Sequence, residues 1–246
     1  MGFYITQASG EKEHIRYRKS TARGEISVRD CVMEGVELRL LLVGDVQESA
    51  VFLEKGKRYD APFRYIDSFM DIVAKHPHPD RILLIGGAGF AFPRTYFGSG
   101  QKGILDVAEL DPRMVKLARR YFFLDEMERD LGLKKDGRLN IHVREGSEYL
   151  SSTEERYDII LNDAYIGNRP DRGLSSDEGM ALCRAHLKED GILAVNVITT
   201  LAGEGSMPGI ISKNVMEGYF DHVTLYPCNP AMGELYRQNC MLVGAV

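Results

Sequence analysis

RILLIGGAGF, residues 81–90, is the stretch on which the reading of the fold turns. Ile82, Leu83, Leu84 and Ile85 form a short continuous apolar run, the pattern of a strand buried on both faces. Gly86, Gly87 and Gly89 follow it at once. Glycines there allow a tight turn and close approach of a ligand to the backbone. A full dinucleotide-binding fingerprint would place another glycine at position 92, where Phe92 stands, followed by Pro93. The turn therefore reads either as a seat for a ligand without a phosphate chain or as a plain strand–helix connection.

Downstream, apolar runs alternate with helical stretches. GILDVAEL, LNIHVRE, YDIILND and GILAVNVI read as strands, and DPRMVKLARRYFF, LSSDEGMALCRAHLK and SMPGIISKNVMEGYF as helices. This rhythm predicts an α/β domain with a mostly parallel sheet and helices on both faces. HVTLYPC and NCMLVGAV predict an antiparallel pair at its C-terminal edge. Upstream, short runs punctuated by Gly24, Gly35, Gly44 and Gly56 predict a small antiparallel β region over residues 1–60. Residues 61–246 form the larger domain, opened by a helix whose apolar positions are Phe63, Ile66, Phe69, Met70 and Val73.

In an open parallel sheet, ligands bind beyond the carboxyl ends of the strands. Acids stand at three of those ends. Glu109 lies 22 positions after Gly87, near the ~20 expected of an acid that accepts from ribose hydroxyls. Asp111, followed by Pro112, reads as a helix cap. Glu145 and Gly146 stand where a base edge would lie, although an acid at 145 also suits a helix start. Asp163 follows the next strand, as a group for chemistry or as a turn former. A glycine turn and three acids on successive strands predict an adenosyl ligand without phosphates, S-adenosylmethionine or a derivative.

These segments resemble the spermidine synthase (polyamine aminopropyltransferase) family, within the class I methyltransferase-like, Rossmann-like fold. The resemblance covers roughly residues 40–245. VGDVQES is similar to the family's D-G-x-x-Q segment, with Gln47 at the glutamine. FRYIDSF resembles its F-x-Y-x-E-M helix, with Tyr65 at the tyrosine and Asp67 at the acid. LLIGGAGF is similar to I-G-G-G-D-G, AELD to its ribose-binding E-I-D, HVREG to H-V-G-D-G, and NDAYIG to T-D-S-S-D-P.

The resemblance implies that Gln47, Gly86, Gly87, Gly89, Glu109, Glu145 and Gly146 bind the donor. That donor is S-adenosylmethionine or its decarboxylated form, with no metal. It implies that Asp163 takes a proton from an attacking amine, and that Tyr65, Asp67, Ile166, Arg169 and Arg172 line the acceptor site. Gly89 replaces the acid that serves the donor's amine end, and Ile166 replaces one that serves the polyamine. Arg172 falls on a family glutamate, and Arg169 stands nearby. A dicationic substrate wants carboxylates, so putrescine is expected to be a poor acceptor. The implied function is an alkyl (aminopropyl-type) transfer to a small-molecule acceptor. Methyl transfer on the same scaffold, and ligand binding without turnover, are the alternatives.

Composition sets outer limits. A formal net charge of −5 argues against a nucleic-acid partner held through phosphates. No stretch approaches the ~18 apolar residues of a membrane span, and the start lacks a secretory signal. MGFYIT matches the loose myristoylation pattern, a short and common one. Cys31, Cys183, Cys228 and Cys240 have no metal-ligand spacing, which predicts a reduced, cytoplasmic protein. The family resemblance implies a homo-oligomer.

Overall fold

The computed structural model describes residues 11–22, 24–166, 169–170 and 173–246, with backbone alone at 11–12, 165–166 and 169–170. The described residues divide into two compact units. Those of Met1–Ile66, Gly87–Lys102 and Asp111–Arg138 form the first, and Asp67–Gly86, Gly103–Leu110 and Leu139–Val246 the second.

The first unit is built on an antiparallel sheet of β1 (Glu11–Thr21), β2 (Gly24–Met33), β3 (Val36–Val43) and β4 (Val46–Phe52), in that order. A bulge at Glu48 sets Gln47 opposite Leu42 and Ser49 opposite Leu41. Such an extra residue re-aims the side chains around it. The long helix α1 (Arg64–Lys75) begins in this unit and continues in the second. Helices α2 (Ala91–Gly98), α3 (Pro112–Tyr121), α4 (Leu124–Asp130) and α5 (Leu133–Asp136) complete the unit. Ile26, Val28, Leu41 and Val51 from the sheet pack with Met114, Leu117 and Phe122. Asp111 caps α3 as the sequence predicts, accepting from Arg113 N at 2.9 Å, with Pro112 at the first helical position.

The second unit holds a seven-stranded sheet. Its strands are β5 (Arg81–Ile85), β6 (Ile104–Ala108), β7 (Leu139–His142), β8 (Tyr157–Asn162), β11 (Leu187–Thr199), β12 (His222–Pro227) and β13 (Gln238–Ala245). Two-residue strands β9 (Tyr165–Ile166) and β10 (Arg169–Pro170) pair with each other. The sheet order is β12-β13-β11-β8-β5-β6-β7. Neighbours are parallel from β11 to β7, and β13 runs antiparallel to both β11 and β12. The parallel sheet and its antiparallel C-terminal edge are those expected from the sequence.

One face packs Leu83, Ile85, Ile160, Leu193 and Val195 against α6 (Gly146–Ser152), α7 (Asp177–Ala185) and α8 (Met207–Met216). The alternate residues Ile82, Leu84, Val107, Ile159 and Leu161 are buried as well, so both faces are covered. Strand β5 is the switch point. The chain leaves it for β6 and β7 on one side and returns to β8 on the other, which opens a crevice at the carboxyl ends of β5 and β8.

All four cysteines are free thiols, and Cys31, Cys183 and Cys240 are buried. Among the described residues, no helix is long and apolar enough to cross a membrane.

Candidate functional site

Backbone hydrogen bonds continue past the strands at the crevice of the second unit and tie its strand ends into a row. Asp163 N donates to Ile85 O at 2.8 Å, Gly86 N to Ala108 O at 2.9 Å, and Glu109 N to His142 O at 2.9 Å. Arg144 N closes the series on Glu109 O at 3.1 Å. The ends bearing Asp163, Gly86, Glu109 and Glu145 are therefore neighbours in one unit. Asp67, in α1, belongs to the same unit.

Gly86 meets Asp163 directly. Its φ is +91°, and a Cβ there would lie 2.7 Å from Asp163 O and 2.9 Å from Asp163 C. No side chain fits that gap, and few residues other than glycine adopt that φ. Asp163 is half-buried, and its Oδ1 accepts from Asn196 Nδ2 at 2.8 Å. Asn196 sits in β11 and is itself buried. The sequence reading missed Asn196. Its signal was a lone amide in the apolar strand next to YDIILND, where a buried polar group needs a partner.

Glu109 is buried at the end of β6. Glu145 caps α6, accepting from Glu148 N at 3.0 Å and from Ser147 Oγ. Gly146 is a site of close packing, since a Cβ there would lie 2.5 Å from Ile85 Cγ2 and 2.8 Å from Leu174 Cδ1. Cys228 is a second residue the sequence reading left aside. Burial pushes its thiol up to about 12, opposed by a hydrogen bond with Ser68 and reinforced by Cys240 and Asp163.

Gln47, Tyr65, Gly87 and Gly89 belong to the first unit. Among the described residues, the buried Gln47 Nε2 has no hydrogen-bond partner. Tyr65 stacks on Phe63 with ring centroids 5.7 Å apart. Gly89 lies against Ser49 of β4, and a Cβ at 89 would stand 2.4 Å from Ser49 Oγ and 2.5 Å from Ser49 Cβ. Arg94, on α2, is fully buried. Its Nη1 donates to Gly89 O and, at 3.2 Å, to Phe122 O, and its Nη2 donates to Ala50 O at 2.9 Å. Burial pulls the guanidinium pKa down to about 9.

Arg172 lies outside the described residues, as do the side chains of Ile166 and Arg169. Among the described residues, no group of three or more His, Cys, Asp or Glu is placed to hold a metal ion. A cavity of about 430 Å³, lined in part by Arg81, His142, Arg144 and Tyr149, includes none of the predicted site residues. Arg81 there is already paired with Asp106 and Glu155, each at 2.7 Å.

A model of the spermine/spermidine synthase domain matches residues 64–223. The chain belongs to that family. Gln47 and Ser49 precede the matched stretch. The polyamine aminopropyltransferase of Clostridium beijerinckii is 31% identical over 134 residues, which are 53% of this chain and 45% of that protein. The one from Streptococcus pneumoniae is 34% identical over 123 residues, 49% of this chain and 41% of that protein. The chain thus spans about half the length of the curated relatives it matches. A probable spermidine synthase from Corynebacterium glutamicum superposes with a TM-score of 0.71 at 18% identity, covering 94% of this chain and 79% of its own. A spermidine synthase in complex with the transition-state analogue AdoDATO gives 0.66 at 16% identity, covering 94% and 72%. These superpositions bear on the fold.

Proposed function

We propose that this chain is a transferase of the aminopropyltransferase type. It moves an alkyl arm from S-adenosylmethionine, or its decarboxylated form, to a nucleophilic nitrogen on a small acceptor. The observation that carries the reading is Asp163, set beside Gly86 at the switch point and held by Asn196. Membership of the family supports it, as does the analogue bound by the solved spermidine synthase.

An alkyl ammonium has a pKa near ~10, so its lone pair is masked at neutral pH. A positioned carboxylate takes the proton as the nitrogen attacks. Asp163 is that carboxylate, and Asn196 fixes the direction of its Oδ1. A sulfonium leaves readily, so orienting the two reactants supplies much of the remaining catalysis.

Glu109 accepts from the ribose hydroxyls, and Glu145 and Gly146 border the base. The buried Nε2 of Gln47 is an orphan donor of the kind a polar ligand satisfies. Gly86, Gly87 and Gly89 face the arm with backbone alone. Tyr65, Asp67, Ile166, Arg169 and Arg172 are assigned to the acceptor. We place the reaction in the cytoplasm, where free thiols persist, and the active form is a homo-oligomer, as the family resemblance implies.

The test is product analysis. The protein is incubated with each donor and a panel of small amines. Methylthioadenosine released in step with an alkylated amine supports arm transfer. S-adenosylhomocysteine in its place identifies a methyltransferase. Neither product, with methylthioadenosine still bound in calorimetry, identifies a binder.

A further inference from the structure

We propose that the cavity beside α6 is a second ligand site, separate from the crevice after β5 and β8. It takes a small organic oxyanion, a carboxylate or a phosphate ester, on the guanidinium of Arg144.

The sheet sets this cavity apart from the crevice. It has a volume of about 430 Å³, and its lining runs from His142 and Arg144 at the end of β7, along α6 through Tyr149 and Ser152, to Glu155 and Arg81. All of these residues belong to the second unit. Arg81 is the first residue of β5, whereas the crevice opens after its last. At ~3.3 Å per residue, the strand carries Gly86 roughly 16 Å from Arg81. The cavity is in the size range of small-molecule pockets and is larger than a bare ion fills.

A buried carboxylate stands behind the wall. Asp106 in β6 is fully buried. It accepts from Arg81 Nε at 2.7 Å and from Asn140 Nδ2 at 2.9 Å, and His142 Nε2 lies 3.5 Å from its Oδ1. An ionised group with no exposure needs fixed partners. Asp106 in turn holds two of the lining side chains, Arg81 and His142, in place. Support of this kind keeps a site preformed.

Charge selects the ligand. Arg81 is already engaged, since its Nη1 meets Glu155 at 2.7 Å as well. Arg144 is exposed, and among the described residues no carboxylate lies within ion-pair distance of it; its Nη1 donates to Ser152 Oγ at 2.8 Å. Ser152 Oγ donates onward to Tyr149 O at 2.9 Å, so the hydroxyl anchors one corner of the guanidinium on α6. The other N–H groups of an arginine form a planar fork that matches two oxygens of a carboxylate or a phosphate. Carbon surface lies alongside. Val143 lines the cavity and is exposed, and the rings of His142 and Tyr149 stand 4.4 Å apart. The oxyanion is therefore expected to carry a carbon body.

The test is a titration of the intact protein followed by NMR of its six histidine rings, with His142→Gln assigning the reporter. Benzoate and phenyl phosphate are compared with sodium chloride at equal ionic strength. At least one of the two is expected to shift the His142 resonances saturably where chloride does not, and the tighter one fixes the class as carboxylate or phosphate ester. Arg144→Gln is expected to weaken that binding at least about tenfold, the effect of one charge-assisted contact. Arg144→Lys, which keeps the charge and loses the fork, is expected to fall between the two, and it decides the matter if Arg144→Gln does not fold. No saturable shift with either anion, or one that the Arg144 variants leave unchanged, overturns the proposal. So does a shift that saturating methylthioadenosine abolishes, because the anion then shares the donor's site. A shift that persists beside bound methylthioadenosine supports two separate sites.

Discussion

Asn196 Nδ2 donates to Asp163 Oδ1 at 2.8 Å, from a buried position on the neighbouring strand β11. An amide donor favours the ionised form of the carboxylate it touches, and a base must be ionised to accept a proton. Asn196→Ala is therefore expected to lower kcat by about tenfold, the loss of one hydrogen bond to a charged group. It should also move the acid limb of the kcat profile to higher pH while leaving donor affinity unchanged. A profile that keeps its limb, with a rate loss matched by a loss of melting temperature, would make Asn196 a structural residue only.

Asp163→Asn keeps the shape of the side chain and removes its charge. Folding and donor binding are expected to persist, with a loss of roughly 10²–10⁴ in rate, the usual contribution of a positioned acid–base group. A variant at full rate would reduce Asp163 to its hydrogen bonds.

Glu109 ends β6, and its backbone joins that strand to β7 through His142 O. The backbone role survives truncation of the side chain, so Glu109→Ala should fold. It is expected to weaken methylthioadenosine binding by roughly 1.5–3 kcal/mol, as for hydrogen bonds to a charged group. Equal affinity in calorimetry would remove the ribose assignment.

Strands β5, β6 and β8 were legible because each is a short apolar run followed at once by a glycine or an acid, and the cap at Asp111–Pro112 was legible from two adjacent residues. Helix α2 was not. It begins at Ala91 after an N-cap, Phe90, that lies in the left-handed region and gives no side-chain cap, and Pro93 sits in its first turn, where proline is tolerated although it reads as a breaker. The stacking of Ser49 on Gly89 joins residues 40 positions apart, so no local pattern announces it. The same holds for the return of Gly87–Lys102 and Asp111–Arg138 to the unit of the N-terminal sheet. The sequence reading treated Gly89 as a lost acid. Ser49 supplies the steric reason that an acid is absent.

Acid should unfold the protein through identifiable carboxylates. Burial works to raise the pKa of Asp30, but hydrogen bonds and charge from Arg39 and Arg16 outweigh it and leave the group below its ordinary 3.8. Asp158 is likewise lowered, with Lys188 and the backbone of Arg81 outweighing burial. Stability from a depressed carboxylate is complete above the unfolded value and is lost as pH falls through the folded one. The urea midpoint should thus decline below pH 3.8. Asp30→Asn should cost about 1.5–3 kcal/mol at neutral pH and flatten that decline, and a midpoint that stays level through this range in the wild type would refute the account.

Alkali acts on the thiols with the opposite sign. Burial raises Cys31 and Cys240 to about 11 and Cys183 and Cys228 to about 12, from an ordinary 9.0. The folded chain therefore holds protons that the unfolded chain releases. The stability this gives is whole below pH 9 and is lost as pH rises toward 11 and 12. Alkylation requires the thiolate, so iodoacetamide at pH 8 should label the native protein slowly and the urea-unfolded protein fast. Rapid labelling of native Cys228, the half-buried member of the set, would contradict this.

Putrescine is expected to be a weak acceptor. It carries two positive charges at neutral pH, and each needs an acceptor or counter-charge on leaving water. Residue 89, which the family resemblance assigns to the donor's amine end, supplies no acid to share. Ile166 stands where the family resemblance puts another acid, and Arg169 and Arg172 add positive charge nearby in the chain. Asp177 opens α7 and accepts from the Tyr219 hydroxyl at 3.1 Å, so recruiting it means breaking that bond. Asp163 and Asp67 are then left to answer both ammonium groups, and Asp163 is also the group proposed to take the reacting proton. With decarboxylated S-adenosylmethionine and putrescine, spermidine formation should be slow or absent, while an acceptor with a single amine and an anionic end should react faster. A kcat/KM for putrescine at or above the ~10⁴ M⁻¹s⁻¹ of ordinary enzymes would show that two carboxylates suffice and that the charge argument fails.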